Sequence, residues 1–294
     1  MSIDLIRRSL STGGEHLGDL VFWSLSEARI DRVQLESIWS QAQLDPGLLP
    51  DAPSAEKAIK LAVRESATGH PDRLIRLGKE CDAEIIYNVV REQRHGDGSL
   101  DYSTEARITL DREREVFSSD RPGHDLVEAV HLRFDTYRSS HHPDDVRRTI
   151  VKTLGSLAAV TLRDGGGVYY VPSPHADKVR RLQSAVEKIG SSRVYLLPVH
   201  KSAESSSALG EIARGSIEEE LASLKSEIAS FVETPPSRAS TLVHRFDAFE
   251  ALRARAKMYR SVLAVEVADL DTTLNKLSNT VEQLLAEKAD KAAA

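Results

Sequence analysis

Towards the C-terminus, apolar residues recur at a spacing that only helices can use. Ile217, Leu221, Leu224, Ile228 and Phe231 are separated by 4, 3, 4 and 3 residues, and Val267, Leu270, Leu274, Leu277, Val281 and Leu284 by 3, 4, 3, 4 and 3. Spacing of this kind gives each helix one continuous apolar stripe, and each stripe needs a facing partner. Between the two runs lies ETPPSRAS, whose Pro235 and Pro236 cannot sit inside a continuous helix. Residues 202–294 therefore read as an antiparallel helical hairpin or coiled coil with a frayed tail, AEKADKAAA. The second arm, about 45 residues at 1.5 Å each, would reach roughly 65 Å and outrun the first. Its uncovered stripe, Val267 to Leu284, is assigned to oligomerisation through a second copy, with docking onto the rest of the chain as the alternative.

At 294 residues the chain exceeds what one core usually fills, so two or three modules are expected. Residues 1–72 read as a small, mainly helical module. It has a β-prone run, LVFWSL, then helical spacing through Leu35, Ile38 and Trp39 behind a capping Asp31. A second helix, SAEKAIKLAVRESA, follows the break DPGLLPDAP. Residues 73–201 read as an α+β domain. Ile85, Tyr87 and Val89, then Ala106, Ile108 and Leu110, alternate at period two around RHGDGS, which predicts a long hairpin. Helices over 124–140 and 144–159, a strand–turn–strand in VTLRDGGGVYYVP, a further helix and the strand RVYLLPV complete it. The fold class is α+β and helix-rich.

Composition excludes several function classes. Cys81 is the single cysteine, so an intramolecular disulfide and a cysteine-rich zinc site are ruled out and a reducing, cytoplasmic setting is expected. No stretch approaches the roughly 18 apolar residues a membrane span needs, so no membrane partner is expected. The net charge of −6 gives no global attraction to polyanions. Its distribution is uneven: residues 141–201 hold ten Lys/Arg against five Asp/Glu, leaving +5 there and −11 elsewhere.

That basic section coincides with a topology. DDVRRTIVKTLGSL followed by VTLRDGGGVYYVP gives helix, turn, helix and glycine-tipped hairpin over residues 124–172, which resembles the closing half of a winged helix-turn-helix. The resemblance implies that the second helix and the hairpin tip contact nucleic acid, although the preceding helix is longer than that family's. Arg147, Arg148, Lys152, Arg163, Arg180 and Arg181 are assigned to nucleic-acid binding, mainly to phosphate and with DNA favoured. LVFWSLSEARI and GGGVYYVP also resemble an uncharacterised family of bacterial and phage proteins, which implies no activity.

No reaction is legible. HHPDD, His141 to Asp145, has metal-ligating residue types, but a proline and acids are what the start of a helix asks for, so no metal is assigned. STGGEHLG lacks the lysine of a phosphate-binding loop, and no serine sits in a nucleophile elbow. The expectation is a non-enzymatic, oligomeric, nucleic-acid-associated protein with no cofactor. The alternative is a scaffold assembled through its coiled coil without nucleic-acid contact.

Overall fold

The computed structural model describes residues 14–25, 29–163 and 165–293, the last four in backbone only. The first thirteen residues of the expected N-terminal module, Asp164 of the hairpin tip and Ala294 of the tail lie outside the described residues. The chain is mixed α and β and helix-rich, as the periodicities predict. Its described residues divide into two units, one formed by those up to 24, those within 151–187 and those from 193 on, the other by those within 25–150 and 188–192. This division falls elsewhere than the consecutive segments 1–72, 73–201 and 202–294. The physical reason is a strand pairing between residues far apart in sequence, which no local pattern announces.

In the first unit, β1 (His16–Ser24) lies between β10 (Arg193–His200) and β9 (Tyr169–Pro172), with β8 (Val160–Thr161) outside β9, all antiparallel. The run LVFWSL is thus an inner strand rather than part of a helical module. Its approach to β9 is close: a Cβ on Gly18 would lie 2.2 Å from the Val171 carbonyl oxygen. Tyr170 points from β9 into the core of a helical bundle, while Tyr169, on the opposite face by strand alternation, stacks on Trp23. Helix α5 (Ala176–Val186) packs against β9 and β10.

The bundle has three helices, α6 (Ala203–Glu233), α7 (Ala239–Leu263) and α8 (Leu270–Ala293). A capping box between Ser202 and Ser205 starts α6. The expected break at Pro235 and Pro236 separates α6 from α7. The long second arm is itself broken, because Ala264 and Asp269 adopt left-handed φ values of 55° and 56°. The hairpin therefore gains a third arm. Ala213 and Ile217 of α6, Leu252 and Tyr259 of α7, and Leu274 and Val281 of α8 are wholly buried together.

The second unit is built on a four-stranded meander: β3 (Arg73–Glu80), β4 (Glu84–Arg94), β5 (Leu100–Asp111) and β6 (Val116–Ser119). The predicted long hairpin is β4 and β5, turned with Gly98 at φ 85°. Helix α2 (Ala55–Ser66), capped by the Ser54 hydroxyl, and α3 (Asp125–Ser139) cover one face of the sheet. Ile59, Ala62, Val127 and Val130 pack there against Ile85, Val89 and Ile108. Helix α1 (Arg32–Gln41) starts at Asp31, whose carboxylate accepts the Gln34 N–H at 3.1 Å. β2 (Ile30–Asp31) pairs with β7 (Ser140–His141). Helix α4 begins at Pro143 and runs to Ser156, its residues through Ile150 belonging to this unit and those from Val151 to the first.

Candidate functional site

The helix, turn, helix and hairpin order over residues 125–172 is present in the structure. The six basic residues assigned to it are not one uncommitted cluster. Arg147 and Arg148 lie in the second unit, whereas Lys152, Arg163, Arg180 and Arg181 lie in the first. Arg147 binds Asp144 at 2.6 Å and Arg148 binds Asp145 at 2.8 Å, each one helical turn away. The carboxylates at the start of α4 thus neutralise the helix's first two arginines. Arg180 donates to the Ala176 carbonyl and stands 3.6 Å from Asp19, a carboxylate only 1% exposed. Arg181 also has an interaction partner. Arg163 folds back into its own turn, donating Nε–H to the Gly166 carbonyl at 2.7 Å and lying over Gly167. Among the described residues, Lys152 alone of the six has no hydrogen bond or ion pair, and it is exposed.

The hairpin is not a free wing either, since β9 pairs with β1 along its whole length. The six residues assigned to oligomerisation are consumed inside the chain. Leu274 and Val281 are fully buried, Leu270 and Leu284 are 8% exposed, and Val267 and Leu277 pack against the same core. The bundle's third arm supplies the partner that the sequence reading sought in a second chain.

What the fold does bring together is a cationic row on the open face of the meander. Both α2 and α3 sit on the face lined by Ile75, Val89 and Ile108. Strand alternation turns Arg76, Asn88 and Arg107 to the other side. These three are in cross-strand register, Arg76 opposite Asn88 and Asn88 opposite Arg107, so the two arginines stand about 10 Å apart with the amide between them. Both are exposed, and among the described residues neither side chain has an ion-pair partner; nor does Arg94 near the end of β4. Gly78 makes the arrangement possible, because a Cβ there would lie 2.6 Å from Asn88 Nδ2. Asn88 Oδ1 is buried without a hydrogen-bond partner.

The same face continues through Leu74, Val90 and Thr104 to Tyr102, which is 58% exposed and opposite Glu92. The Glu92 carboxylate raises the Tyr102 phenol above the ordinary tyrosine range, and Arg76 acts against that shift. Lys79 is the face's committed cation, bound to Glu84 at 2.8 Å. Three guanidiniums without ion-pair partners among the described residues, an aromatic ring and partly buried aliphatic side chains on one sheet face can hold an anionic chain and stack flat groups. Sequence alternation contains these residues as the polar positions of β3, β4 and β5. Only strand order and register place them in one row.

The described part of the chain is thus a two-unit α+β protein with a cation-bearing open sheet and an internally closed helical bundle. Among the described residues no helix is long and apolar enough to cross a membrane, and no cluster of three His, Cys, Asp or Glu could hold a metal ion. The chain belongs to a family of unknown function, DUF6744, whose model matches residues 16–291. No curated protein and no solved structure matches it.

Proposed function

We propose that this chain is a non-enzymatic nucleic-acid-associated protein that holds the phosphate backbone on the open face of the β3–β6 sheet. The supporting observation is the in-register row Arg76, Asn88, Arg107, two exposed guanidiniums without an ion-pair partner among the described residues, in a chain whose net charge is negative. Such cations exchange condensed counterions for protein contacts, the main source of affinity for a phosphate backbone. Tyr102 and the aliphatic strip beside it favour single strands, whose unstacked bases can lie on an aromatic side chain. Asn88 adds a hydrogen-bonding group able to meet a base or a sugar hydroxyl. Lys152, and Arg163 at the hairpin tip, are the winged-helix-like section's remaining contributions, each a contact to backbone rather than to a base edge.

The test is fluorescence anisotropy of labelled single- and double-stranded DNA with the full chain at two salt concentrations. Binding that is tighter for the single strand and weakens steeply with salt supports the reading. Unchanged anisotropy at low salt and micromolar protein overturns it and leaves the scaffold alternative.

A further inference from the structure

On the helix side of the second unit, Glu65, Arg133, Thr136, Tyr137, His142 and Arg29 line a cavity of about 220 Å³, with Leu132 among its walls. Glu65 is already engaged there. Its Oε2 accepts the Tyr137 hydroxyl at 3.0 Å, and its Oε1 faces Arg133 Nε at 3.6 Å. The His142 ring stacks on Tyr137, centroids 4.4 Å apart and planes 23° from parallel. That stacking fixes the imidazole while leaving its buried Nε2 without a hydrogen-bond partner. Arg29 is exposed, and among the described residues it has neither an ion pair nor a hydrogen bond. The lining therefore carries two guanidiniums against one carboxylate, and two groups with unused hydrogen-bonding capacity, Arg29 and His142.

We propose that this cavity binds the phosphate group of a small phosphomonoester. Two guanidiniums line the space, those of Arg29 and Arg133, and the His142 ring borders it. A phosphomonoester presents three terminal oxygens and a charge near −2 to them, whereas a carboxylate presents two oxygens and −1. Guanidinium is the side chain best matched to that anion. Leu132, 69% exposed, gives the organic part of the ester an apolar wall to rest on. Burial, reinforced by Arg29, lowers the His142 pKa and so favours the uncharged ring. The site is separate from the sheet-face residues and stands without them.

Titration calorimetry on the full chain with inorganic phosphate, adenosine monophosphate and acetate tests it. Saturable binding of both phosphates with none of acetate is expected. Arg29→Gln should weaken phosphate binding by about tenfold or more, as the loss of a charge-assisted hydrogen bond requires. Because Arg29 holds no partner among the described residues, that variant should melt with the wild type, so its effect is told apart from misfolding. A 5′-phosphorylated dinucleotide that binds more tightly than the mononucleotide would identify a strand end as the source of the phosphate; equal binding would identify a free nucleotide. Arg76→Ala and Arg107→Ala should leave phosphate binding intact, so failure of the sheet-face reading is told apart from failure here. Equal binding of acetate and phosphate, or an Arg29→Gln variant that binds phosphate like wild type, overturns the proposal.

Discussion

Tyr170 and Tyr259 meet with ring centroids 6.4 Å apart in the core of the bundle, and each donates its hydroxyl to a main-chain carbonyl, Tyr170 to Leu17 at 2.6 Å and Tyr259 to Ala158 at 2.5 Å. Burial drives both phenols well above the ordinary tyrosine range. Replacing Tyr259 with Phe keeps the ring but strands a buried acceptor, which costs about 1–3 kcal/mol. The urea midpoint of Tyr259→Phe should fall accordingly with no change in slope. Alkaline titration of the folded wild type should leave these two phenols unionised at about pH 11, where exposed tyrosines are charged.

Two glycines are expected to respond differently to the same substitution. At Gly18 a new Cβ meets backbone, the Val171 carbonyl at 2.2 Å, and the Tyr170 ring at 2.7 Å, neither of which can move without parting β1 from β9. At Gly78 it meets the end of the Asn88 side chain, which can rotate away. Gly18→Ala should therefore fail to accumulate as folded protein or melt far below wild type. Gly78→Ala should stay near wild-type stability, and its displaced amide should change only binding at the sheet face. Equal melting temperatures for the two variants would contradict this packing.

Asp145 links the second unit's stability to acid. Burial alone would raise its pKa. That effect is outweighed by the His141 ring, whose Nδ1 lies 3.9 Å away, by the His142 N–H, which it accepts at 3.1 Å, and by Arg148, and the net result is a value of about 2 instead of 3.8. Because the folded value is depressed, the stabilisation is present in full above about pH 4 and is lost as the pH falls towards 2. A shift of this size corresponds to about 2 kcal/mol. Asp145→Asn should be less stable than wild type at pH 7, and the gap should close by about pH 2. A constant gap in urea midpoints from neutral to acid pH would show that the carboxylate's charge is not the cause.

How much of this was legible in the residues varies with the range of the interactions. The first heptad stripe, the part of the second from Leu270, the capping Asp31, and the alternation of β4 and β5 are local, and the structure follows them. The ion partners of Arg147 and Arg148 were also local, three residues back in HHPDD, so the i, i+3 spacing already indicated that those arginines are neutralised. The break at Ala264–Asp269 was not legible, because the sequence AVEVAD contains neither Gly nor Pro and alanine rarely adopts left-handed φ. Nor was the pairing of Phe22 with Tyr195, whose strands are separated in sequence by the whole second unit and by residues 151–187 of the first. The row Arg76, Asn88, Arg107 needs two registers at once, and these depend on the β-bulges at Leu77/Lys79 and Val89/Val90, which the hydrophobic alternation alone does not locate.

The closed bundle gives a prediction opposite to that of a coiled-coil dimer. Leu274 is wholly buried among α6, α7 and α8. If its stripe served an intermolecular seam, Leu274→Ala would dissociate subunits and leave the monomer folded. Since the stripe is internal, the variant should instead lose about 2–5 kcal/mol of unfolding free energy. Light scattering should give the same mass for variant and wild type below the melting transition. A halved mass with an unchanged melting temperature would restore the intermolecular assignment.

The sheet face makes the sharpest quantitative demand, because phosphate contacts can be counted from salt dependence. For single strands, the logarithm of the binding constant falls with the logarithm of salt concentration at about 0.7 per neutralised phosphate. Removing both free guanidiniums of the central row, as Arg76→Ala with Arg107→Ala, should lower that slope by about 1.4 if each meets one phosphate. Arg147→Ala with Arg148→Ala should leave it nearly unchanged, since those charges are already balanced by Asp144 and Asp145. Tyr102→Ala should weaken single-strand binding by about 1–3 kcal/mol while keeping the slope, because stacking releases no counterions. A slope that drops for the α4 pair and not for the sheet pair would move the contact surface back to the helix and its hairpin.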